Sequence, residues 1–198
     1  MGRPAFVPPK WKKPAPLGYG PAVDSVGTVA APLLSGFSLA SAVLVANNAD
    51  DFRWPGAAML ALTIAAVTLI GAVECAFHAR KYLWSEADVR AWWPEMEVGS
   101  ELETLLRAEQ AKAMRRWKAW TTWMRAAYDA GILALLAGLG LTLAPQSGIG
   151  TQAGLRWTAS CVAFAACAAE ASLLVASCWQ RAHGAFMAGR SSRTTPRN

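Results

Sequence analysis

Apolar residues fall into four long blocks along this chain, separated by two short polar stretches and one long one. The run VGTVAAPLLSGFSLASAVLVA, residues 26–46, carries no charge in 21 positions, and PGAAMLALTIAAVTLIGAV, residues 55–73, carries none in 19. A third block, AGILALLAGLGLTLA at 130–144, has 15 residues and reaches spanning length once Ala126 to Asp129 are counted at its edge. The fourth runs from Trp157 to Trp179 and is interrupted only by Glu170. A hydrocarbon layer of ~30 Å takes roughly 20 residues at 1.5 Å each, and a backbone in lipid must satisfy its own hydrogen bonds. The pattern predicts an all-α protein, an integral membrane four-helix bundle.

The long polar stretch between the second and third blocks has a pattern of its own. From Ser100 to Ala130 there is no Gly and no Pro, and Ser100 with Glu103 forms a capping box at SELETLL that predicts a helix start. At 100° per residue Leu102, Leu105, Leu106, Ala113, Trp117, Trp120, Trp123, Met124 and Ala127 fall on one stripe. Arg107, Lys112, Arg115 and Lys118 lie off it, and Glu103 can pair with Arg107 at i,i+4. Upstream, Ser85 and Asp88 make a second capping box at SEADVRAWW, and Pro94 and Gly99 bracket a turn. The expectation is an amphipathic helical hairpin whose second arm feeds into span three without a breaker. Its Trp-bearing stripe either lies in the headgroup plane or packs on the shorter helix and a partner protein.

Charge adds a direction. The tail to Ser25 carries four Lys and Arg, the 47–53 loop one, the 80–125 stretch nine, the 145–156 loop one and the tail from Gln180 four. By the positive-inside rule both termini and the hairpin are cytoplasmic, and the two short loops face out. Trp54 and Trp157 at one end, and Trp84, Trp123 and Trp179 at the other, stand where interfacial anchors stand. The net charge of +6 is therefore a topological bias and not a nucleic-acid footprint, because seven acids interleave with the nine bases of the hairpin. The implied organisation is a cytoplasmic tail at 1–24, read as disordered, a transmembrane hairpin at 25–80, the cytoplasmic insert at 81–125, a second transmembrane hairpin at 126–180, and a cytoplasmic tail at 181–198.

Candidate chemistry is sparse. The two histidines, His78 and His183, lie in no metal-ligand spacing, and no GxSxG, P-loop or GxGxxG occurs. Cys75, Cys161, Cys167 and Cys178 all fall inside the spans and form no CxxC, so they read as small apolar filler. No signal peptide is legible in the basic, Pro-rich start. Both halves carry an Arg-Trp pair, Arg53-Trp54 and Arg156-Trp157, followed by an intramembrane acid, a faint echo of a parallel repeat. Glu74 and His78 stand at i,i+4, a spacing that can hold a proton or a cation but equally suits a pair reaching interfacial water. Glu170, 13 residues past Trp157, lies about 20 Å into the layer. Three roles are open to it: a protonated cross-helix hydrogen bond, with Asp129, Tyr128 or a span threonine as partner, a contact to another subunit, or an ion or proton site.

The stretches APLLSGFSLASAVL, YLWSEADVRAWWPE and RAAYDAGILALLAGLGL, with the four spans and the Ala/Trp/Arg-rich style, make the chain resemble small uncharacterised integral membrane proteins of actinobacterial type. The likeness runs from Val26 to Gln180, and what it implies is a cytoplasmic (inner) membrane setting. It brings no catalytic motif, metal or cofactor. The function expected from the residues is that of a non-enzymatic accessory, scaffold or signalling protein. Its insert would bind a partner protein or the membrane surface through Leu102, Leu106, Trp117, Trp120, Trp123 and Met124. The competing expectation is an oligomeric channel or small transporter using Glu170, with Glu74, His78 and Asp129 as the other intramembrane polar groups.

Overall fold

The computed structural model describes residues 10–14, 18–146 and 151–191, and its regular elements are helical. The first long helix, Tyr19–Asn47, is built from α1 (Tyr19–Ser25), a π turn (Val26–Ala30) and α2 (Ala31–Asn47). A 3-10 turn (Ala49–Asp51) leads to α3 (Pro55–Arg80), α4 (Glu86–Trp92), α5 (Glu101–Leu143) and α6 (Thr151–Ser191). Four of these helices are long and apolar enough to cross a membrane: Tyr19–Asn47, Pro55–Arg80, Glu101–Leu143 and the Gln152–Gln180 part of α6.

The π turn has a local cause. Pro32 is the second residue of α2, inside the continuous Tyr19–Asn47 helix, where a proline lacks the N–H for the helical ladder and its ring presses on the carbonyl four residues earlier. Opening the preceding turn to i→i+5 bonding relieves that clash, and the Ala31 N–H accordingly donates to Val26 O. Gly27 sits in this turn against Ala76 of α3, so close that a Cβ there would collide with the Ala76 methyl.

Compactness divides the chain into Met1–Gly36 with Val67–Tyr128, and Phe37–Ala66 with Asp129–Asn198. This division cuts across the helices. In the first unit the reason is packing. Val23, Ala31, Leu69, Ala72 and Met124 form one buried cluster, and Ala79, Met114 and Trp117 form another with Tyr19, Tyr82 and Leu83 around it. The insert thus shares its core with the ends of spans one and two. Trp117 is 2% exposed and meets the Tyr19 ring edge-on at 5.5 Å.

The second unit is held differently. Ser160 Oγ donates to Gly140 O at 2.7 Å, and Cys167 Sγ approaches Leu133 O at 3.6 Å, which fixes an antiparallel register of α5 and α6. Gly140 makes room for the Phe164 ring, and a Cβ on Gly138 would stand 2.8 Å from Leu62 Cγ. Close approach at small residues is how helices associate where lipid competes with every apolar contact. Gln146 Nε2 donates to Phe52 O at 3.0 Å and also to Asp50 O. The Arg53 guanidinium lies 4.7 Å from the Trp54 ring centre and 5.7 Å from that of Trp157, so the first Arg-Trp pair reaches the tryptophan of the second.

Candidate interaction surface

The segment between spans two and three is set by its caps. Ser85 Oγ accepts from the Asp88 N–H at 3.3 Å while the Asp88 carboxylate accepts from the Ser85 N–H at 2.6 Å and from its hydroxyl at 2.8 Å. These bonds to the ionised form hold the Asp88 carboxyl below its ordinary range. At α5, Ser100 Oγ accepts from the Glu103 N–H at 3.2 Å, but the return bond slips one residue, and Glu103 Oε2 accepts from the Gly99 N–H at 2.6 Å. Gly99 can offer that N–H because it takes a left-handed backbone with φ +87°, the sole positive φ among the described residues.

Glu103 is 1% exposed and pairs with Arg107 at 2.7 Å. Its pKa is lowered, first by the Gly99 hydrogen bond and then by Arg107; the buried Trp11 indole N–H adds to this without reaching full hydrogen-bond geometry. Gln110, also buried, accepts from the Lys12 N–H at 2.8 Å and donates to Trp84 O at 3.2 Å. It ties three stretches distant in sequence. Trp11 meets the edge of Trp84 at 6.5 Å and lies under the Arg107 guanidinium at 5.5 Å. The expectation of a disordered 1–24 tail therefore does not describe Trp11 to Pro14, which lie on the insert, or Tyr19 to Asp24, which are helical. Residues 1–9 and 15–17 fall outside the described residues, as do 192–198 of the expected C-terminal tail. The helix of span four continues to Ser191, past the expected end at Gln180.

The buried face of α5 is Glu103, Gln110, Met114, Trp117, Thr121 and Met124, repeating every three or four residues. It is rotated by roughly 80° from the apolar stripe expected at 100° per residue. The six residues of the expected partner-binding stripe are consequently split. Trp117 and Met124 are buried inside the chain, Leu106 and Trp120 are half-buried, and Leu102 and Trp123 are exposed. Trp92, Trp93, Val98 and Leu105 join the exposed set, at 65%, 45%, 77% and 60%. Trp92 and Trp93 meet edge-on at 6.1 Å, and Glu86 and Arg90 pair at 2.8 Å on the same short helix.

The intramembrane polar groups each have their own surroundings. His78 stacks on Trp120 at 4.7 Å with a 21° interplanar angle, and its Nδ1 stands 3.4 Å from Lys81 Nζ. Glu74 is exposed, and among the described residues no hydrogen bond or ion pair joins it to His78. Asp129 is half-buried, with an interaction of its own. Glu170 is half-buried on the seam of α6 that also holds Ser160, Ala163, Cys167 and Leu174. Of the threonines expected to partner it, Thr142 donates instead to Leu139 O at 2.9 Å. No group of three or more His, Cys, Asp or Glu side chains among the described residues could hold a metal ion.

An apolar groove of about 780 Å³ runs between α3 and α5 in the first unit, walled by Val67, Gly71, Cys75, Trp120, Trp123 and Ala127. Sequence reasoning grouped Trp120 and Trp123 with the hairpin's stripe and missed the α3 wall; Gly71, Cys75 and His78 at spacings of four and three residues were its signal. Searches of family models, curated proteins and solved structures find no match for this chain.

Proposed function

We propose that this is a non-enzymatic integral membrane scaffold or accessory protein of the cytoplasmic membrane, with both termini and the insert inside, whose insert docks a partner protein. One observation carries the reading: the insert is pinned by the Ser85–Asp88 capping box, by the Ser100 and Gly99 bonds to Glu103, and by two buried polar side chains, yet from Trp92 to Leu105 it leaves five large apolar residues exposed. These residues lie outside the runs that lipid would cover. An ordered apolar surface of that kind marks an interaction site, and aromatic anchors are the residues that dominate such sites. The docking edge is thus Trp92, Trp93, Val98, Leu102 and Leu105, and not Trp117 and Met124, which the fold itself consumes.

The test is the mass of the assembly in native lipid discs, with its stoichiometric components identified, for the parent chain and for Trp92→Ala with Leu105→Glu. The reading expects one defined partner, lost in the double variant and retained in Glu170→Gln. A homo-oligomer without a partner, unchanged by the double variant, would reject it. The position of Glu170 on the inward seam of α6 supports a second reading, an oligomeric channel or transporter. That reading expects proton or cation flux in liposomes that Glu170→Gln removes.

A further inference from the structure

The groove between α3 and α5 does not belong to the docking edge, and its surroundings differ. Its α3 wall, Val67 to Cys75, lies within a span, so whatever fills the groove comes from the bilayer side. Its volume of about 780 Å³ falls in the range of ligand clefts, roughly 300–1,000 Å³. The walls are hydrocarbon, indole and one thiol. Gly71 widens the groove, since a Cβ placed there would meet nothing within 4 Å.

The two helix faces that wall the groove lead, beyond its lining residues, to cations. On α3 the row Thr68, Gly71, Cys75 continues at the same spacing to His78, whose ring is stacked on Trp120 and whose Nδ1 faces the Lys81 ammonium. On α5 the row Trp123, Trp120 continues four residues back to Arg116, whose guanidinium covers the Tyr82 ring at 5.7 Å. Lys81 and Arg116 are both exposed and have no carboxylate within ion-pair distance among the described residues. The neighbouring Lys112 is held by Glu109 at 2.6 Å, and Arg80 by Asp24 at 3.7 Å. Glu74 stands on α3 four residues before His78, exposed, and Glu86 follows Lys81 by five residues, paired with Arg90.

We infer that this groove is a site for one anionic phospholipid, its acyl chain between α3 and α5 along Gly71, Cys75 and Trp123, and its phosphate at Lys81 and Arg116. An apolar channel continuous with the hydrocarbon layer and leading to two unpaired cations matches an anionic amphiphile in both parts. A zwitterionic lipid would bring its own cation to that end and lose the advantage. Trp120, fixed by the His78 stack, forms the wall where chain gives way to headgroup, the level at which indoles settle in bilayers.

The experiment is native mass spectrometry of the full-length protein, delipidated in detergent and mixed with equal amounts of phosphatidylglycerol and phosphatidylcholine of matched chains. One phosphatidylglycerol should be retained in preference. Lys81→Gln and Arg116→Gln should each lower that preference roughly five-fold, the equivalent of ~1 kcal/mol per basic residue near an anionic surface. Gly71→Leu should fill the groove and remove the retained lipid while α3, with open space at that position, keeps its fold and melting temperature. Equal retention of the two lipids, or a preference that Gly71→Leu leaves intact, would overturn the site and leave general attraction to a basic surface. The scaffold reading stands or falls separately, because none of these three residues belongs to the docking edge.

Discussion

The two compact units bury different things. The first, Met1–Gly36 with Val67–Tyr128, closes around a tryptophan, two methionines and polar side chains whose hydrogen bonds are met within the chain. The second, Phe37–Ala66 with Asp129–Asn198, closes at glycines and serines, and of the described side chains on α6 only Ser160 is buried. Removing a large indole from water is worth far more than bringing two small residues together. In lipid that gain is absent, and what remains is close approach and the occasional hydroxyl-to-carbonyl bond. The same α5 takes part in both, with Glu103, Gln110 and Trp117 toward one end and Gly131, Leu135 and Gly138 toward the other.

The sharpest way to break this contrast is Trp117→Ala, which should destabilise the solubilised protein by about 3–5 kcal/mol, the cost of emptying a fully buried aromatic site; a melting temperature unchanged from the parent would show that the first unit does not depend on its aromatic core. Next comes Gly138→Ala. The added methyl meets Leu62 Cγ at 2.8 Å and the Leu62 backbone nitrogen at 3.3 Å, so overpacking should cost about 1–3 kcal/mol, read in the same thermal assay. Ser85→Ala removes one cap and should cost roughly 1 kcal/mol, with hydrogen exchange rising at 86–89 and not in α6. The smallest effect is expected from acid. Glu103 and Asp88 have lowered pKa values in the fold, so their contribution is complete above the ordinary carboxylate range of ~4. It is lost as pH falls through the lowered folded values. Thermal midpoints should therefore drop on acidification, and Glu103→Gln with Asp88→Asn should flatten that slope.

The four long apolar helices were legible in the sequence because uncharged runs of that length have few other uses. The α4 capping box and the Glu103–Arg107 pair were legible too, being local relations between residues three or four apart. The facing of α5 was not, because an apolar stripe counts Glu103, Gln110 and Thr121 as surface. Their burial depends on partners far along the chain: Gln110 takes the Lys12 N–H from 98 residues away. For the same reason Trp11 to Pro14 read as part of a tail. Glu170 was legible as an anomaly, and its place on the α6 seam follows from the Ser160 and Cys167 contacts, which no pattern along the chain announces.

The π turn at Val26–Ala30 turns sequence length into angle. One residue more than an α-helix would use turns everything on one side of it by about 100° relative to the other. Tyr19, which reaches Trp117, and Val23, which reaches the Met124 cluster, owe their direction to that single surplus residue. Deleting one position between Val26 and Ala30 would shorten the span by less than two ångströms in rise, yet it would swing Tyr19 and Val23 off their core. At this place the chain is a screw thread, and its setting is counted in residues.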